Sequence, residues 1–300
     1  MEKRKSGIGA LVLSYILWGF QPLYWKLLSD YDSLLLLALR IVFSAVFSCV
    51  LLLCTGELGK LKEVFTSRAI MKKVIPATVF VFLDWAVFIV AIGNGRVLDC
   101  SLGYYINPII LFAGGVIIYK EKATKTSIIA LAVALAGIAV SVIAFGEFPL
   151  LTVVIAINWA VYALIKKTID LDGVLSIAVE TLLMSPAAIA YIIITGNTGV
   201  LHTGDFTWIL LVLSGVVTAM PMFLYSNCVR RQPMIVMAFA QYLSPSFNLI
   251  CGLVTGERFT PAGLTSLAFF LTSVIVFSAG TFAAGKNTEI DEKQPDIEKK

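Results

Sequence analysis

Histidine is almost missing from this chain: His202 is the only one in 300 residues, and it sits in a polar stretch. A histidine-based metal site or catalytic triad is therefore excluded as an expectation. Charged residues make up only 14% of the sequence, too few for the solvated surface of a soluble protein of this length. The five cysteines (Cys49, Cys54, Cys100, Cys228 and Cys251) form no CxxC pair and lie in or beside apolar runs, so they read as small core hydrophobes. No Walker A sequence is present, which argues against direct ATP hydrolysis, and no cofactor is expected. The net charge of +4 is spread over short loops and gives no basic patch for nucleic acid.

What the chain has instead is apolar sequence. Hydrophobic residues account for 59% of it, more than one soluble core of this size can bury. A membrane-spanning helix needs roughly 20 apolar residues, and the chain has room for about ten of them. Hydropathy and helix breakers place these spans at Ile8–Leu28, Leu34–Cys54, Lys73–Gly93, Val97–Tyr119, Ser127–Phe145, Pro149–Thr168, Gly173–Thr195, Asp205–Val229, Met234–Thr255 and Pro261–Ala284. The run after Lys3-Arg4-Lys5 is too long, and carries too many aromatic and polar residues, for a cleaved signal core, so it reads as the first helix. Residues 286–300 mix both charges without an apolar face and read as a disordered cytoplasmic tail.

Loop charge sets the expected orientation. Lys3, Arg4 and Lys5, then Lys60, Lys62, Arg68, Lys72 and Lys73, then Lys120, Lys122 and Lys125, then Lys166 and Lys167, then Arg230 and Arg231 fall on one side. The opposite loops are poor in Lys and Arg, so both termini are expected in the cytoplasm of a bacterial inner-membrane protein.

The chain also resembles itself. At an offset of 137, Tyr105, Pro108 and Gly115 fall on Tyr242, Pro245 and Gly252, and Phe88 falls on Tyr225. One deletion later, Glu121-Lys122-x-Thr124 falls on Glu257-Arg258-x-Thr260. At an offset of 141, Trp18 falls on Trp159 and Gln21 on Tyr162. The matches pair the first five helices (1–145) with the second five (146–285). Because five is odd, the second unit enters the membrane from the opposite side, giving an all-α fold of two inverted five-helix repeats. Many secondary transporters use this arrangement for alternating access around a site between the repeats.

Trp18-Gly19-x-x-Pro22-Leu23-Tyr24-Trp25-Lys26, Ser101-Leu102-Gly103-Tyr104-Tyr105-Ile106-Asn107-Pro108 and Gln241-Tyr242-Leu243-Ser244-Pro245 resemble the RarD group in the EamA branch of the drug/metabolite transporter superfamily. The resemblance covers nearly the whole chain except the tail. It implies ten helices in two EamA repeats, an inner-membrane location, and a permease or exporter role for small organic metabolites or drugs. Asp84-Trp85 departs from the family's Asn-Trp, and Tyr119-Lys120-Glu121 from its Gly-Glu.

Polar side chains within lipid-depth helices are costly, so each one points to a lined cavity or to a partner. Trp18, Gln21 and Trp25 share one helix face, and Trp159, Tyr162 and Lys166 repeat it in the second unit. Two such faces suit a cavity for an aromatic or amphipathic solute; packing, or an aromatic belt at the water boundary, suits them as well, particularly at Trp25 and Lys166. Tyr104 and Asn107 are further cavity candidates, as are Gln241, which matches Tyr104 in the repeat, and Tyr242; Pro108 and Pro245 are hinge candidates. Arg40 lies roughly 10 Å and Asp84 roughly 14 Å from the outer ends of their helices, close enough in depth for an ion pair. Glu180 is a candidate for proton coupling, or else for a structural hydrogen bond to a neighbouring Tyr or Ser.

The expected partners are thus the lipid bilayer, a small-molecule substrate and the proton. Nothing in the sequence supplies the nucleophile or acid pair of an intramembrane enzyme. A scaffold or lipid-handling protein without solute turnover shares the composition but has no use for inverted symmetry.

Overall fold

The computed structural model describes residues 2–93, 97–145, 150–195, 206–254 and 261–293. The loop holding His202 and the Glu257-Arg258-x-Thr260 stretch lie outside them. The regular elements among the described residues are all helices: α1 (Glu2–Lys26), α2 (Ser33–Cys54), α3 (Lys60–Thr66), α4 (Arg68–Gly93), α5 (Val97–Ile117), α6 (Lys125–Phe145), α7 (Leu150–Lys166), α8 (Gly173–Thr195), α9 (Thr207–Val229), α10 (Met234–Gln241), α11 (Leu243–Val254) and α12 (Pro261–Lys293).

Local chemistry sets several boundaries. The Asp32 carboxylate accepts from Leu35 N at 2.9 Å and caps α2. Gly56, at φ 72°, closes the other end of that helix, where Glu57 N bonds back to Leu52 O. The Thr124 hydroxyl oxygen accepts from Ser127 N at the start of α6.

Three features depart from the sequence reading. A short helix, α3, occupies what reads as a loop, and α4 starts at Arg68 rather than Lys73. The expected span Met234–Thr255 is two helices broken at Tyr242. Pro245 has no N–H to bond the Gln241 carbonyl and its ring crowds that carbonyl, so the break falls one turn before the proline. Pro108 performs no such division, and α5 runs through it unbroken. Finally, α12 continues to Lys293, so residues 286–293 are helical rather than a disordered tail; this charged run meets no proline before Pro295. Residues 294–300 lie outside the described set.

Among the described residues, six helices (α1, α2, α6, α8, α9 and α12) carry a stretch long and apolar enough to cross a membrane, and Tyr104–Ile117 and Val153–Lys166 are shorter apolar stretches. The outward faces carry bare aliphatic side chains such as Leu53, Ile143, Ile193 and Ile275, while Ser44, Asn107, Glu180 and Gln241 are buried. Water would favour neither choice; lipid favours both.

The helices pack mainly across the two halves of the chain. α6 lies along α12, α2 along α8 and α9, α7 along α4 and α5, α1 along α9 and α11, and α10 on α5. Small residues allow the close approaches. Gly114 faces Leu164 of α7, and Gly215 of α9 lies against the backbone of Phe43 in α2, where the Ser44 hydroxyl donates to its carbonyl at 3.1 Å. Between α6 and α12, the Ser141 and Ser266 hydroxyls are 2.8 Å apart, and Ser273 donates to Ala130 O. An apolar groove of about 410 Å³ between α2 and α8, lined by Val46, Val50, Leu53 and Ile189 among others, opens outward and suits a surrounding lipid chain.

Candidate functional site

A cavity of about 120 Å³ lies at the meeting of α1, α2, α4, α5, α7, α10 and α11. It is smaller than the roughly 300–1,000 Å³ of a drug-sized pocket. Helix α1 supplies one wall through Tyr15, Trp18, Pro22 and Trp25, a stripe at helical spacing, with Gln21 beside it. Gln21 donates to Val217 O at 2.8 Å, which tethers this wall to α9. The rest of the lining includes Arg40 of α2, Asp84, Trp85 and Phe88 of α4, Tyr104 of α5, Trp159 of α7 and Gln241 of α10.

Charge in this cavity is held by aromatic rings. The Arg40 guanidinium lies 4.5 Å from the Trp85 ring centroid and 5.5 Å from that of Trp25, and its residue is only 7% exposed. Asp84, 1% exposed, faces the same cavity and lies within electrostatic reach of Arg40. The expected ion pair is nevertheless not formed among the described residues. Depth along two helices carries no information about azimuth, so matching depths brought the groups to one cavity without bringing them into contact. Arg40 Nε, Asp84 Oδ1, Trp159 Nε1, Gln241 Oε1 and Asn248 Oδ1 have no hydrogen-bond partner among the described residues.

Beneath the cavity is a plug of rings. Trp18 meets Trp159 edge-to-face at 5.3 Å and Tyr15 and Tyr225 at 5.5 Å each, and Trp159 meets Tyr162 at 5.4 Å. The two tryptophans matched by the sequence repeat therefore touch each other.

Below the plug is a second polar centre. Lys166 donates to Glu180 Oε1 and, at 2.7 Å, to Ser176 Oγ, while the Tyr162 hydroxyl donates to Glu180 Oε2 at 3.1 Å. Lys166 and Glu180 are 2% and 1% exposed. Lys166 is thus a fully buried ion-pair partner, not an interfacial anchor. Glu180 takes its cation from α7, a neighbour its own helix could not reveal.

Further along, a latch joins the two halves. The Glu121 carboxylate accepts from Met234 N at 2.7 Å and Ile235 N at 2.9 Å, capping α10. Lys167 stands 3.9 Å from that carboxylate, donates to Gln232 O at 2.5 Å, and lies 5.3 Å from the Tyr119 ring.

Of the sequence candidates, Trp18, Gln21, Arg40, Asp84, Tyr104, Trp159, Gln241 and Pro245 line the cavity. Asn107, Tyr162 and Tyr242 do not. Asn107 donates to Ala156 O at 2.6 Å and staples α5 to α7; Tyr162 binds Glu180; Tyr242 stacks on Phe270 with centroids 5.2 Å apart. Adjacent residues point about 100° apart on a helix, and here Gln241 turns to the cavity while Tyr242 turns to Phe270. Trp85 and Asn248 escaped the sequence reading; the only signal was that Trp85 follows the intramembrane Asp84. Asn107→Leu is expected to lower thermal stability by about 0.5–1.5 kcal/mol through loss of its bond to the Ala156 carbonyl, while leaving solute preference unchanged; a melting curve and a competition assay check the two halves of that statement.

Residues 5–143 match the EamA-like transporter family. An uncharacterized transporter, YojE of Bacillus subtilis (strain 168), is 32% identical over 282 residues, covering 91% of this chain and 94% of the relative. The chain belongs to the EamA-like transporter family. Its relatives in the family include Protein RarD of Escherichia coli (strain K12), 25% identical with 92% and 95% of the two chains covered. Another is the chloramphenicol-sensitive protein RarD of Pseudomonas aeruginosa (strain PAO1), 26% identical with 91% and 94% covered. A crystal structure with 15% sequence identity superposes with a TM-score of 0.69 over 90% of this chain and 96% of the other, showing a shared fold. This EamA protein is a multi-pass membrane transporter, and its cavity is the candidate solute site.

Proposed function

We propose that the chain carries small organic solutes across a bacterial inner membrane by alternating access, as an exporter or permease built from two inverted five-helix units, 1–145 and 146–285, with both termini in the cytoplasm. The observation that carries this reading is the central cavity, lined by residues from both units and by two repeat-matched pairs, Trp18 with Trp159 and Tyr104 with Gln241. The packing pattern supports it. When α1, α2, α4, α5 and α6 are exchanged in order for α7, α8, α9, α10–α11 and α12, contacts exchange too: α5 on α7 becomes α11 on α1, and α4 on α7 becomes α9 on α1.

With the loop charges facing the cytoplasm, the cavity lies in the outer half and the ring plug, the Lys166–Glu180 pair and the Glu121 latch close the inner half. A conformation sealed on one side is one of the two that alternating access requires. Glu180 is occupied by Lys166, so the carboxylate placed to exchange a proton with the cavity is Asp84. Asp84→Asn is therefore expected to flatten the pH dependence of transport, measured as initial rates across a range of pH; an unchanged profile removes Asp84 from this role.

Reconstitution tests the transport reading directly. Proteoliposomes preloaded with amino acids, aromatic metabolites or antibiotics should show saturable counterflow of at least one labelled solute, lost in Trp18→Ala and Trp159→Ala. Absence of counterflow across the whole panel would sink it.

The latch has its own test. Glu121→Gln removes the anion at the α10 N-terminus and one of the two acceptors serving Met234 and Ile235. With the other four cysteines replaced by serine, alkylation of the buried Cys228 by N-ethylmaleimide should speed up several-fold. An unchanged rate would mean that the latch does not hold the inner side shut.

A further inference from the structure

We propose that the solute bound in the central cavity is a compact zwitterion, its anionic group held by Arg40 and its cationic group by Asp84, with an apolar body against the indoles. The proposal rests on the transport reading above and names its substrate class.

Three observations converge. First, Arg40 and Asp84 line the same cavity, yet neither is spent on the other. Arg40 Nε and Asp84 Oδ1 each lack a hydrogen-bond partner among the described residues, and both residues are more than nine-tenths buried. The two are within electrostatic reach but share no bond, and a buried charge without a bonded partner costs several kcal/mol, so each one calls for a counter-charge from the occupant. Second, the remaining unpartnered lining atoms are polar but neutral: the Trp159 indole N–H donates, the Gln241 and Asn248 side-chain oxygens accept, and the Tyr15 hydroxyl can do either. A site with one fixed cation and one fixed anion is balanced by an occupant carrying one charge of each sign. A singly charged or neutral solute leaves Arg40 or Asp84 unmatched. Third, the guanidinium lies over Trp85 and beside Trp25, which fixes its plane while leaving edge N–H groups for a carboxylate. The cavity, at about 120 Å³, admits a compact solute and is too small for a drug-sized one.

The test uses purified full-length protein in detergent and two ligand sets of different size. One set is phenylalanine, 3-phenylpropanoate and phenethylamine; the other is valine, 3-methylbutanoate and 2-methylpropylamine. Within each set the shape is shared, and the second and third members lack the ammonium and the carboxylate respectively. In at least one set the zwitterion should bind tighter than both partial mimics by about tenfold or more, the worth of one charge-assisted contact. Arg40→Gln should erase the preference over the amine, Asp84→Asn should erase the preference over the acid, and Arg40→Lys should retain the former.

Equal binding of zwitterion and mimic in both sets, or no zwitterion binding in either, overturns the proposal. Counterflow of a non-zwitterionic solute by that same preparation would then show that the transport reading survives without it. Zwitterion binding with no counterflow of any solute would uphold the site and overturn the transport reading instead.

Discussion

Replacing Lys166 with methionine is expected to be among the most destabilising single changes in the molecule, costing about 3–5 kcal/mol, because it strands a buried carboxylate. Glu180 is 1% exposed, and without Lys166 it keeps only the Tyr162 and Ser176 hydroxyls as donors. Glu180→Leu alone strands the ammonium in the same way. The double variant Lys166→Met with Glu180→Leu removes both charges at once, and its melting midpoint in detergent should return most of the way to that of the parent. This recovery separates a pair whose value lies in mutual neutralisation from two residues that matter independently. A double variant as unstable as the sum of the two singles would show that each side chain has a separate role. The same experiment bears on coupling: a carboxylate locked to an ammonium below the ring plug has no route to the cavity, so the pH profile of transport should be unchanged in the double variant.

Gly215→Leu should prevent α2 and α9 from packing at all. A Cβ at this position would lie 2.3 Å from the Phe43 carbonyl carbon and 2.5 Å from its oxygen, and neither is the end of a flexible side chain that can turn away. Backbone must separate from backbone, and the Ser44 hydrogen bond to the Gly215 carbonyl goes with it. The expected result is loss of folded protein on size-exclusion chromatography. Gly9 supplies the control. It is also a helical glycine in an apolar span, but a Cβ there meets nothing within 4 Å. Gly9→Ala should be neutral or slightly stabilising, by up to about 1 kcal/mol from helix propensity. Similar behaviour of the two substitutions would show that close approach at Gly215 is not what holds these helices together.

Much of the site was legible in advance because intramembrane polarity is rare enough to be informative. Trp18, Arg40, Asp84, Tyr104, Trp159 and Gln241 all stand out in apolar runs, and all line one cavity. Lys166 was not legible as an ion-pair partner: near a helix end, a lysine that reaches the interface and a lysine turned inward look the same in one dimension. Trp85 was not read as the ring beneath Arg40, because cation–π geometry is a relation between two helices. Tyr162 and Asn107 sit on the same broad faces as true lining residues, yet they spend their polar atoms on Glu180 and on Ala156 O.

The sequence by itself determined the solvent of this protein and its helical character, since apolar runs of spanning length can satisfy their backbone in lipid only as helices. It also determined which polar residues would be costly, and therefore worth explaining. Tertiary structure alone decided how those residues divide. Azimuth around each helix, and the identity of the helix opposite, made Lys166 and Glu180 a closed pair and left Arg40 and Asp84 facing a shared cavity. These four charges separate into two centres, and that separation is set by packing between the halves.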